Sequence, residues 1–104
     1  MFVNWGQCCQ GLRSTYNIRV GRATTITGPY LDKDGTDMML GGGALFLTKQ
    51  GNFIGPGHAG IITQGSTNWL SCHFYDGTLE GRPTLGLLPL RWDADGWPEV
   101  VVPK

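Results

Sequence analysis

Charge is what this sequence has least of. Charged residues make up 15% of the 104, against roughly 25% in an average soluble domain. Eight Lys and Arg balance eight Asp and Glu, so the formal net charge is zero. A neutral chain gives no electrostatic reason to expect nucleic acid or an anionic membrane surface as partner. No stretch approaches the ~18 apolar residues of a membrane-spanning helix. The chain opens directly on the strand-like run Met1-Phe2-Val3-Asn4-Trp5, without the basic and apolar segments of a signal peptide. Cysteine is also scarce. Cys8 and Cys9 are adjacent and Cys72 is distant, which is neither a disulfide framework nor the spacing of a zinc site. The compartment therefore cannot be read from cysteine usage. Helical periodicity is missing as well, for no window repeats its apolar residues every 3.6 positions.

Glycine is the residue present in excess, with 17 copies, about 16% where roughly 7% is usual. Only 6 prolines and no Gly-X-Y period exclude collagen. The glycines instead punctuate short strands. Tyr16, Ile18 and Val20 alternate with Asn17, Arg19 and Gly21, a period of two in a run rich in β-branched residues. Further strands are predicted at Phe2–Trp5, Gly43–Thr48, Gly60–Thr63, Asn68–Tyr75, Leu85–Trp92 and Glu99–Val102. Between them lie turn clusters such as Asp32-Lys33-Asp34-Gly35 and Asp93-Ala94-Asp95-Gly96. The expected class is all-β, built from antiparallel hairpins. A chain of this length has room for one small domain, which buries only about two-thirds of its unfolded surface.

The order of elements repeats. Phe2–Gly6, a polar loop, Thr15–Val20 and an Asp-x-Asp-Gly turn form one unit. Leu70–Gly77, a polar loop, Pro83–Leu88 and a second such turn form another. Phe2 to Ser71 and Tyr16 to Leu85 are each 69 positions apart, whereas the two turns are 61 apart. Four-stranded units of this kind suggest β-propeller blades. Two blades alone would leave both flanking faces uncovered.

Few motifs carry chemistry. Asp32-x-Asp34-Gly35 lacks the glycine and glutamate positions of a calcium loop and reads as an Asx turn. Gly55-Pro56-Gly57-His58-Ala59-Gly60 lacks the Gly-Lys-Ser/Thr ending of a phosphate loop. His58 stands out because the glycines before it allow close approach to a neighbour, although a hydrogen-bonded structural histidine is the plain alternative. His73 lies inside a predicted strand and reads as a packing residue. Cys8 and Cys9 are expected as buried free thiols, since adjacent cysteines bridge only with unusual backbone geometry. No pair of carboxylates stands out as acid and base, and none except Asp76, beside Tyr75, reads as set in an apolar surround that would raise its pKa.

Taken in order, these segments resemble glycoside hydrolase family 43, and its endo-arabinanase branch in particular. The resemblance is carried by Phe2–Gly11, Ser14-Thr15-Tyr16, Val20-Gly21-Arg22, Ile26–Tyr30, Asp32–Gly35, Gly41–Gly43, Ile54–His58, His73–Asp76 and Leu90–Pro98. It implies about two blades of a five-bladed β-propeller, the C-terminal portion, with residues 1–50 as a blade lacking its innermost strand and 51–104 as the last blade. The family implies inverting hydrolysis of α-L-arabinofuranosidic bonds in arabinan by three carboxylates, with acid and base roughly 6.5–9.5 Å apart. None of the three falls on a residue of this chain, so no catalytic residue is assigned and the chain alone is expected to be inactive. Trp5, Gln7, Cys8 and His58 are the candidate substrate-binding residues. His58 matches a family histidine near the central channel, linked through water to calcium or another ion. Gln10 stands where the family has a basic residue, so no charge contact is carried over to that position.

By propeller topology, Gly6–Ser14, His58 and Asp76–Arg82 should rim one face. The expected partners are an arabinan-type polysaccharide or oligosaccharide, together with missing blades or further copies of the chain. An extracellular or periplasmic location follows from the same resemblance. The alternative is a self-assembling, non-catalytic propeller fragment that holds sugars on aromatics such as Trp5, Trp69 and Tyr75.

Overall fold

A computed structural model describes residues 1–102. Its seven strands are β1 (Phe2–Trp5), β2 (Asn17–Val20), β3 (Ala44–Leu47), β4 (Phe53–Gln64), β5 (Thr67–Asp76), β6 (Arg82–Trp92) and β7 (Pro98–Val100). They form two antiparallel sheets, one ordered β1-β2-β3 and the other β4-β5-β6-β7. The remaining regular structure is three single 3-10 turns, at Gly11–Arg13, Met38–Leu40 and Gly77–Leu79. No helix among the described residues is long and apolar enough to cross a membrane.

Alternation sets which side chains are buried. Along β6, Gly86, Leu88 and Leu90 are buried while Leu85, Leu87 and Pro89 are exposed. Leu88 pairs with Leu70 and Gly86 with Cys72 on β5, so the apolar positions of both strands share a face. Ile18 and Leu47 of the first sheet join Phe53, Leu70, Cys72, Leu88 and Leu90 of the second in one core, so the sheets pack on each other. Each Ile, Leu and Phe side chain among them removes apolar area worth about 1.5–3 kcal/mol from water.

The two sheets share one antiparallel strand order. β1 and β5 hold corresponding places, as do β2 and β6, and the strands after the Asp32 and Asp93 turns, β3 and β7, complete the match. In both turns the aspartate Oδ1 accepts from the backbone N–H groups two and four residues on, Asp34 and Thr36 in one, Asp95 and Trp97 in the other. That is the Asx-turn geometry expected from the sequence. β4 has no counterpart in the first sheet, whose β1 edge is therefore unpaired among the described residues.

The largest departure from the sequence reading is β4. A strand is expected only over Gly60–Thr63, after a Gly-Pro-Gly turn. Instead one strand runs from Phe53 to Gln64, straight through those glycines. Its register with β5 shifts between Ile54 and Gly57 and again between Gly57 and Gly60. Bulges are where a sheet tolerates Pro56, which has no N–H to give, and the longer strand makes His58 an interior position of β4. Tyr16, expected inside β2, lies just before it.

Candidate functional site

The loop between β1 and β2 is held by its own backbone. The Gln7 carbonyl accepts from Thr15 N (2.9 Å) and Tyr16 N (3.1 Å), and Gln7 N–H donates to the Thr15 hydroxyl at 2.9 Å. Its base is closed by Gln10 N–H donating to the hydroxyl of buried Ser14 at 3.0 Å. Ser14 sits against Gly55, where a Cβ would come within 2.8 Å of the serine Cβ. At Gly57 a Cβ would overlap the ring of Tyr16. The glycines around Pro56 are thus spaces into which residues of the first sheet's loop fit.

Tyr16 then stacks on His73, with ring centroids 5.9 Å apart. His73 faces His58 at 6.3 Å and the edge of Tyr75 at 5.8 Å. Burial holds the His73 pKa below the usual histidine value, and the nearby His58 pushes it the same way. His58 carries a positive φ of 59°, uncommon for a residue with a side chain. Its N–H donates to Asn4 Oδ1 at 3.0 Å, bridging the two sheets.

Cys8 and Cys9 form a disulfide, which corrects the expectation of free thiols. The unusual backbone that adjacent cysteines require is present, for Cys9 has φ +69°. Cys9 N–H donates to the buried Tyr75 hydroxyl at 2.6 Å. On the far side, Gly81 touches Gly11 and Leu12. The segments Gly6–Ser14, His58 and Asp76–Arg82 therefore gather at one end of the molecule.

The four predicted binding residues divide. Cys8, through its disulfide, and His58 belong to this cluster, and Gln7 pins the stem of the loop. Trp5 stands apart. Asn4 points toward β4, so Trp5, next along β1, points to the other face, where Arg19 lies over its ring at 4.5 Å. Sequence reading missed Tyr16, His73 and Tyr75 as members of the cluster. Two of them sit at alternate positions of β5, a spacing that marks a shared face. Tyr75 is buried, which removes it as a stacking platform for a sugar.

The residues present fit an ion only weakly. Among the described residues no three of His, Cys, Asp or Glu stand close enough together to hold a metal.

Comparison with known proteins gives this end of the molecule its context. The description "Glycosyl hydrolases family 43" matches residues 3–98. The chain is 41% identical over 100 residues to an extracellular exo-α-(1→5)-L-arabinofuranosidase of Cellvibrio japonicus, covering 96% of this chain and 29% of that protein. It is 41% identical over 98 residues to an extracellular endo-α-(1→5)-L-arabinanase of Bacillus subtilis, covering 94% and 29%. Among solved structures, the Cellvibrio cellulosa α-L-arabinanase complexed with arabinohexaose superposes with a TM-score of 0.92 at 41% identity, over 96% of this chain and 32% of that one. An exo-1,5-α-L-arabinanase from a bovine ruminal metagenomic library gives 0.94 at 34% identity, over 99% and 34%. The chain thus spans about three-tenths of the length of these relatives. Its two sheets are blades of the five-bladed propeller fold of the arabinanases. The chain belongs to glycoside hydrolase family 43.

Proposed function

We propose that this chain is the part of an arabinan-degrading propeller that walls the substrate cleft without supplying the catalytic carboxylates. The observation that carries this reading is the convergence of the Cys8–Cys9 loop, His58 and the β5–β6 connection at one end. The chemistry suits a neutral sugar chain. The disulfide gives a small apolar surface, the imidazoles donate or accept hydrogen bonds, and the chain is neutral overall. The likeness to an arabinanase solved with arabinohexaose supports arabinan as the polymer. The substrate-binding residues in this reading are Gln7, Cys8 and His58, with Trp5 on a separate face. His58 would hold, through water, any ion of the central channel. Relatives named extracellular support an extracellular site of action.

The general acid, the base and the pKa-tuning carboxylate would stand on the remaining blades. Residues 1–50 would form a blade that takes its innermost strand from them along the open β1 edge, and 51–104 a blade complete in itself. Titration of the 104-residue chain with arabinohexaose, followed by amide chemical shifts, tests the binding part. Shifts confined to Gly6–Ser14 and around His58 are expected, and their absence at millimolar ligand overturns it. Mixing the chain with the complementary blades of a relative should restore arabinan cleavage.

A second reading is favoured by the open β1 edge and by exposed Leu85 and Leu87 on β6, with 68% and 51% of their surface in water. These features suit self-association into a non-catalytic assembly. Sedimentation of the chain alone separates the two, since only this reading expects a defined oligomer.

A further inference from the structure

We infer that Tyr75 is the positioning residue of the Cys8–Cys9 corner, holding the disulfide against the His58–His73 end of the molecule. The inference rests on reading that end as the sugar-facing one. Most of the loop has other anchors. Its stem is tied by Gln7 to Thr15 and Tyr16, and its base by Gln10 to Ser14. Among the described residues the corner itself has one hydrogen bond to the rest of the protein, from Cys9 N–H to Tyr75 Oη at 2.6 Å, across 66 positions of sequence. Cys9 is exposed as a residue and lies outside every strand, so its N–H has no partner in a sheet ladder.

Tyr75 is built to be a fixed post. Its side chain is 5% exposed. One ring edge lies on His73, and the ring packs against Gly55, where a Cβ would come within 3.0 Å of Cδ2. Rigid support under a binding wall is what holds such a wall to a productive geometry. Loss of the hydroxyl would leave the ring packing and the Cys8–Cys9 bridge in place but remove the acceptor of the Cys9 N–H, so that the corner can move as a unit away from Tyr75.

Hydrogen exchange and binding test this on the 104-residue chain. In the unmodified protein the Cys9 amide should exchange about tenfold or more slower than an unstructured amide, despite its exposure. Exchange at the unstructured rate overturns the inference without any variant. In Tyr75→Phe the Cys9 amide should lose that protection while the amides of Thr15 and Tyr16 keep theirs. Arabinohexaose affinity should fall about three- to tenfold, the worth of one hydrogen bond. Unchanged Cys9 exchange, or unchanged affinity with exchange accelerated, overturns the positioning role. If the unmodified chain binds no arabinohexaose, the sugar-facing reading fails, and the exchange result alone then decides whether Tyr75 holds the corner.

Discussion

Asn4 and His58 tie the two sheets together through one hydrogen bond, from the His58 backbone N–H to Asn4 Oδ1 at 3.0 Å. The pairing fixes His58 where its backbone is least comfortable, at φ +59°. A left-handed residue with a side chain costs about 1–2 kcal/mol relative to ordinary backbone. Such local cost is tolerated where the surroundings hold the residue in place.

Two substitutions separate support from function here. Asn4→Ala should lower stability by about 0.5–1.5 kcal/mol, since it removes the acceptor and leaves the His58 N–H without a protein partner. His58→Gly should raise stability by about 1 kcal/mol by relieving the left-handed cost, yet weaken arabinohexaose binding. Urea denaturation and ligand titration on the same samples check both, and a His58→Gly protein that loses stability contradicts the account.

Gly57 is the tightest contact between the loop and β4. A methyl group there would overlap the Tyr16 ring. Gly57→Ala should cost about 1–3 kcal/mol, the usual penalty of overpacking. The Tyr16–His73 stack should open with it, visible as movement of the His73 ring resonances.

Cysteine chemistry gives a direct check of the disulfide. Cys72 is buried, and burial pushes its pKa up to about 11, so its thiol should resist alkylation at pH 8 in the folded protein. Unfolding without reductant should expose one alkylatable cysteine, and unfolding with reductant all three. Mass spectrometry counts the adducts, and three adducts without reductant would contradict the Cys8–Cys9 bridge.

Acid should weaken the fold through the two Asx turns. Asp32 has its pKa lowered by the N–H groups of Gly43, Thr36 and Asp34, and Asp93 by those of Trp97 and Asp95. Each folded-state pKa lies below the unfolded one, about 3.9. Their contribution is therefore complete above that value and is lost as pH falls through the folded pKa. Asp32→Asn and Asp93→Asn should each flatten the acid side of a denaturant-midpoint profile. A profile unchanged in the double variant contradicts this.

His73 acts earlier in the same titration. Its folded pKa is lowered, by burial first and His58 second. The unfolded chain then takes up the proton more readily, so stability is complete above about 6.5 and declines as pH falls below it. His73→Phe should remove that decline, and circular-dichroism melts between pH 7 and 5 would detect it.

Much of this was legible in the residues. Alternation at Ile18 and Val20 marked β2, the Phe2–Trp5 run marked β1 to the residue, and the Asp-x-Asp-Gly pairs gave both Asx turns. These are local effects: side chains two apart share a face, and an aspartate reaches N–H groups two and four residues on. The repeat of Phe2 on Ser71 and Tyr16 on Leu85 also placed β1 beside β5 and β2 beside β6 in role.

What the residues could not decide lies in contacts across the chain. Gly55-Pro56-Gly57 looks like a turn because the reasons for its glycines, Ser14 and Tyr16, lie some forty positions away. Cys8 and Cys9 look like thiols until the loop is seen holding Cys9 at positive φ over Tyr75. The neighbours of Trp5 are likewise settled across the chain, for Asn4 takes the face toward His58 and Trp5 turns to Arg19. Local pattern determined strands, turns and family membership, because periodicity and short-range hydrogen bonds are written in neighbouring residues. Tertiary structure alone decided which side chains meet, because packing joins residues that sequence keeps apart.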